Sequence, residues 1–63
     1  MLNERIQIEV LGRLANNPYG GVLRREIAEL FGVSGVRVDF VMSRCALVKR
    51  AGVGGAQVHY RLV

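Results

Sequence analysis

Sixty-three residues with a formal net charge of +4 predict one small domain, near the lower size at which a single hydrophobic core is sufficient. Apolar residues make up 51% of the chain, enough for a real core and too many for disorder, and a chain this short often gains stability by oligomerising. No window approaches the roughly 20 apolar residues of a membrane span, no charged-then-apolar leader opens the chain, and the single Cys45 excludes both an intrachain disulfide and a cysteine cluster for zinc. A cytoplasmic protein with no membrane, metal or small-molecule partner is the expectation.

The charge is unevenly placed. Eight arginines and Lys49 face Glu4, Glu9, Glu26, Glu29 and Asp39, and no acidic residue follows Asp39, whereas Arg44, Lys49, Arg50 and Arg61 all do. A basic second half suits a polyanion such as nucleic acid.

In chain order, residues 2–15 predict a first helix, with Asn3 a candidate cap and Leu2, Ile6, Val10 and Leu14 a buried stripe at helical spacing. Ile8, Leu11 and Ala15 form a second strip, which fits a wide core face or scattered exposed apolar residues on one account and a dimer contact along this helix on the other. Glu9 can pair with Arg5 or Arg13 at four-residue spacing. The run Asn16-Asn17-Pro18-Tyr19-Gly20-Gly21 breaks the helix, and Tyr19 is expected against the edge of the core. The two glycines, with no Gly-Lys-Ser/Thr after them, do not make a phosphate-binding loop.

A second helix is expected over residues 23–31 and a third over 35–46. Between them Gly32 can take a positive φ as a helix stop, Val33 can fold back on the preceding turn, and Ser34 is a good N-cap. Val38, Val41, Met42 and Cys45 project to the inner side of the third helix, with Cys45 a buried structural thiol. Its outer side carries Val36, Phe40, Ser43 and Arg44, flanked by Arg37 and Asp39. Arg24 and Arg25 sit at the start of the second helix, where the helix dipole disfavours cations unless an anion faces them. From 47 to 63 the pattern becomes two β-prone runs around a glycine-rich loop, a hairpin signal, with Val58, Tyr60 and Leu62 on one face and Gln57, His59 and Arg61 on the other. The third helix can instead extend toward Arg50 and shorten the first run.

The pattern Ile27-Ala28, Gly32-Val33-Ser34 and Val38, followed by Leu47-Val48-Lys49-Arg50 and Tyr60-Arg61-Leu62, resembles the winged helix-turn-helix family over nearly the whole chain. The resemblance implies an α+β, mostly α fold: a three-helix bundle followed by a C-terminal two-stranded β-hairpin wing, as one domain over 1–63. It also implies double-stranded DNA as partner, with the third helix in the major groove and the wing on phosphates. By that resemblance DNA contacts fall on Ser34, Arg37, Phe40, Ser43 and Arg44 in the third helix and on Lys49, Arg50, Gln57 and His59 in the wing; Arg24 and Arg25 would add phosphate contacts. Two departures stand out: Asp39 and Phe40 occupy positions where polar or basic contacts are usual, and Val22-Leu23 stand where a Ser, Thr or Asp often caps the second helix.

An enzyme is the least supported class. His59 is the only histidine, Cys45 has no histidine on its own helix, and the early carboxylates alternate with arginines as solvated pairs do. The leading expectation is a small DNA-binding regulator that represses by promoter occupancy, acting as a homodimer on paired half-sites, with Ile8, Leu11 and Ala15 the dimer contact. The competing expectation is a protein-interaction module that uses the Val36 and Phe40 face. Asp39 could accept from a cytosine amino group, or orient Arg37 or Ser43.

Overall fold

A computed structural model describes residues 1–63. The first helix, α1 (Leu2–Asn16), buries Ile6, Val10 and Leu14 completely, the four-residue spacing holding one stripe against the other helices. Its N-cap is Met1 and not Asn3, whose side chain reaches across to Arg37 instead. On its flank Arg13 Nε donates to Glu9 Oε2 at 2.7 Å, while Gln7 Nε2 donates to the Val41 carbonyl at 3.2 Å, tying α1 to the third helix. Leu11 packs on the core, whereas Ile8 and Ala15 stay exposed, so the second strip of α1 is not a continuous core face. Tyr19, expected at the core edge, is fully exposed on the turn that follows α1.

The second and third helices are α2 (Arg24–Phe31) and α3 (Gly35–Met42). Gly32 between them has φ 65° and ψ 36°, and two bonds close the helix end: Gly32 N–H to Glu29 O at 3.4 Å and Val33 N–H to Ala28 O at 3.0 Å. That pair is the Schellman arrangement, which uses the carbonyls a helix end leaves free. Ser34 Oγ then accepts the Arg37 N–H at 3.1 Å and caps α3. Val38, Val41 and Met42 are buried beneath it, and Cys45, expected buried, is half-buried at the core margin.

α3 stops at Met42, earlier than the expected 46. Tight turns take over, with Arg44 N–H to Val41 O at 3.3 Å and Cys45 N–H to Met42 O at 3.0 Å. The Ser43 hydroxyl donates to the Phe40 carbonyl at 2.7 Å, a local side-chain bond that competes with helix continuation. The chain is thereby turned to begin a strand at Val48, where Val48 N–H donates to Cys45 O at 3.3 Å.

The sheet has three antiparallel strands in place of the expected two-stranded hairpin. They are β1 (Val22–Leu23), β2 (Val48–Ala51) and β3 (His59–Leu62), in the order β1-β3-β2, with a 3₁₀ turn at Gly55–Gln57 inside the β2–β3 connection. Val22 pairs with Tyr60 and Leu23 with His59; on the other side Val48 pairs with Leu62, Lys49 with Arg61, Arg50 with Tyr60 and Ala51 with His59. Two residues cannot display alternation, so β1 has no signature of its own; it forms because β3 offers an unpaired edge. The same contact resolves the missing cap of α2. Leu23 is the N-cap residue without a side-chain bond, and the Arg24 N–H donates to the Val58 carbonyl at 3.0 Å, so backbone from the β2–β3 connection does the work of a capping side chain.

The core is therefore shared by the helices and the sheet: Ile6, Val10 and Leu14 of α1 with Ile27, Val38, Val41, Met42, Val22, Val48 and Tyr60. The whole is a mostly helical α+β domain, and no helix is long and apolar enough to cross a membrane. A Cβ at Gly32 would meet open space, so Gly32→Ala isolates the backbone cost of the left-handed conformation. It should destabilise the protein by about 1–2 kcal/mol in urea unfolding, with no change in the slope of the unfolding transition.

Candidate functional site

Asp39 lies on the side of α3 that faces the start of α2 and the sheet. Its Oδ2 accepts from Arg24 Nη1 at 2.5 Å, its Oδ1 accepts from the Tyr60 hydroxyl at 2.5 Å, and Arg50 Nε lies 3.5 Å from the same Oδ1. Arg24 Nη2 also donates to the Gly55 carbonyl at 3.3 Å. One carboxylate thus joins α2, α3, β2, β3 and the 3₁₀ turn. Gly35 permits the approach: a Cβ there would lie 3.0 Å from Arg24 Nε, against a guanidinium held at both ends. Burial, then the hydrogen bond to Asp39 and its charge, push the Tyr60 phenol well above its ordinary range, with Arg24 and Arg50 opposing.

This junction changes the standing of several expected site residues. Arg24, expected on phosphate, has its charge engaged by Asp39 and its side chain only 17% exposed. Arg50 is partly drawn to the same carboxylate but remains mostly exposed. Asp39 orients neither Arg37 nor Ser43. Arg37 is held by Asn3 Oδ1, which accepts from its Nε at 3.0 Å and its Nη2 at 2.8 Å, and the Ser43 hydroxyl is bonded to the Phe40 carbonyl. Ser34 is used as the cap of α3, and Arg25 is exposed with no carboxylate in ion-pair range.

The outward face of α3 matches its projection. Val36 is 77% and Phe40 50% exposed, with Ser43 and Arg44 exposed beside them. The Arg44 guanidinium stacks over Phe40, 4.6 Å from the ring centroid. A cation–π contact of this kind restrains the guanidinium without a hydrogen bond to any of its N–H donors. Phe40 therefore acts as a platform that orients Arg44.

Along the sheet, Gln57 belongs to the 3₁₀ turn and not to a strand, and its carbonyl lies 3.1 Å from His59 Nδ1. Lys49 and Arg61 are direct cross-strand partners, both exposed, and no carboxylate lies within ion-pair range of either. Like charges directly opposite on a sheet repel, so this pair destabilises the free protein and would be relieved by an anion. Arg61 was not among the expected contacts. The alternation that set His59 and Arg61 on one face was the available signal; the register that brings Arg61 against Lys49 was not visible in it.

Three of the nine cations, Arg13, Arg24 and Arg50, have carboxylate partners. Of the others, Arg37, Arg44, Lys49 and Arg61 lie on α3, the following turn and the sheet. The one acidic residue of that half is Asp39, turned inward and neutralised. No three His, Cys, Asp or Glu side chains converge as metal ligands would. The chain matches no family model, no curated protein and no solved structure.

Two substitutions test the junction. Because the Tyr60 phenol is raised in the fold, its contribution is present below the unfolded phenol value of about 10 and is lost as pH rises above it. Alkaline unfolding followed by circular dichroism should begin there, and Tyr60→Phe should flatten that limb while lowering stability at neutral pH. Asp39→Asn leaves Arg24 without its counter-charge and should cost about 1–3 kcal/mol at neutral pH, measured by denaturant unfolding.

Proposed function

We propose that this protein is a small duplex-DNA-binding regulator of winged helix-turn-helix type, acting by occupancy. In this reading α3 enters the major groove and the β2–β3 hairpin follows the phosphate backbone. The observation that carries it is the inward engagement of Asp39. Asp39 flanks the outer face of α3, where a free carboxylate would repel phosphate. With its carboxylate held by Arg24, Arg50 and Tyr60, the outward side of α3 presents Arg37 and Arg44 with no competing acid. The unrelieved Lys49–Arg61 pair adds a second basic element on the adjoining hairpin.

Within this reading the residues have distinct roles. Arg44, oriented by Phe40, would offer its N–H edge to a base such as guanine; Val36 would contact thymine methyl groups. Arg37, Lys49, Arg61 and Arg25 would neutralise phosphates and set the register. Arg24 is assigned to the fold and not to DNA. The competing reading, a protein-interaction module, is favoured by one observation: Val36 and Phe40 form an exposed apolar pair at the centre of the same face, as interface cores do.

A salt titration of binding to random-sequence duplex DNA separates the two. Neutralising phosphates with Arg37, Lys49, Arg61 and Arg25 should give a slope of log affinity against log salt of about −3 to −4. Absence of binding even at low salt overturns the DNA reading and leaves the interaction module. Lys49→Ala and Arg61→Ala should each weaken all sequences alike and reduce the slope by about one. Arg44→Ala should relax preference at one base position, at about 1–3 kcal/mol of discrimination on a selected site.

A further inference from the structure

The arginines near α3 differ in what holds them. Arg24 is paired with the Asp39 carboxylate at 2.5 Å, and its charge is used within the fold. Arg37 is held as well, but by a neutral group. The Asn3 side-chain carbonyl, in the first turn of α1, accepts from Arg37 Nε at 3.0 Å and from its Nη2 at 2.8 Å. No carboxylate lies within ion-pair range of Arg37. Glu4, next to Asn3, is turned to the terminal amine at 3.6 Å.

An amide oxygen restrains a guanidinium without cancelling its charge, which a carboxylate would do. The two bonds also take one particular edge. Nε–H and the adjacent Nη2–H form one side of the planar group, and Asn3 occupies that side. Neither bond uses Nη1. The tip, made of Nη1 and the second Nη2 hydrogen, remains as a two-pronged donor that matches two phosphate oxygens. Both residues are exposed, so the tip is open to a partner.

A second tie separates this contact from the placing of α3. One turn farther along both helices, Gln7 Nε2 donates to the Val41 carbonyl at 3.2 Å and grips the backbone of α3. Val38, Val41 and Met42 are buried beneath the same helix. Asn3 grips only the end of a side chain. Without it α3 keeps its place, and the Arg37 guanidinium does not.

We propose, resting on the DNA reading above, that Asn3 is a positioning residue: from α1 it aims the charged tip of Arg37 at a backbone phosphate. A long, flexible side chain is then ordered before DNA arrives, and its ordering no longer opposes binding. α1 takes part in binding through Arg37, with no DNA contact of its own.

The test compares variants of the full chain on random-sequence duplex DNA, with thermal melting by circular dichroism as the check on the fold. Asn3→Ala should weaken binding about two- to tenfold, and should add nothing when Arg37 is already alanine. Asn3→Asp should keep the melting temperature, because an acid in the first turn of a helix is favourable. It should nevertheless bind more weakly than Asn3→Ala, with the salt slope reduced by about one, because its carboxylate neutralises Arg37. An Asn3→Ala effect that persists beside Arg37→Ala, or Asn3→Asp binding as wild type does, overturns the proposal. The free protein gives a readout independent of DNA: by nuclear magnetic resonance, the Arg37 Nε proton should exchange slowly with water in wild type and faster in Asn3→Ala. Equal exchange with DNA binding intact overturns the proposal alone. A slowly exchanging proton in a wild-type protein that does not bind DNA overturns the DNA reading, and the proposal with it.

Discussion

The carboxylate of Asp39 is where the separate parts of this small fold are joined. α2 reaches it through Arg24, β3 through Tyr60 and β2 through Arg50, while α3 supplies it and the 3₁₀ turn is drawn in through the Gly55 carbonyl. A partly buried charge is costly alone, and removing one partner from such a set leaves the others desolvated without compensation. The arrangement is therefore cooperative. The sheet contributes little core beyond Val22, Val48 and Tyr60, so this polar junction helps determine how it sits against the helices. Tyr60 is the hinge of the scheme, its ring packed in the core and its hydroxyl on Asp39.

The same junction organises the surface. By engaging Asp39 with Arg24 and partly with Arg50, the fold withdraws the one carboxylate of its basic half together with one fully engaged cation. What stays outside is Arg37, Arg44, Lys49 and Arg61, with Phe40 as a platform under Arg44. The glutamates all lie on α1 and α2. A chain of modest net charge thus acquires one face without a free acid and another with both signs.

Much of the helical organisation could be read before any coordinates. The Ile6-Val10-Leu14 stripe, the Gly32-Val33-Ser34 break and the inward Val38, Val41 and Met42 depend on local periodicity and on residues with specific backbone or capping chemistry. The misplaced features have a common origin in contacts distant along the chain. Asn3 does not cap α1 because Arg37 is a better partner, and β1 exists only because β3 has an open edge. α2 needs no capping side chain because Val58 supplies a carbonyl. Tyr19 projects into water on its turn, where nothing from the core reaches it.

The sequence by itself determined three helices, a β-prone tail, a cationic second half and the exposure of Val36 and Phe40 on α3, because each rests on spacing within one segment. Only the tertiary structure decided what Asp39 does, which arginines remain free and that Lys49 opposes Arg61. Those outcomes depend on which side chains from different segments come within hydrogen-bonding distance. Linear spacing carries no information about that distance, and for charged groups it determines whether a residue belongs to the fold or to a partner.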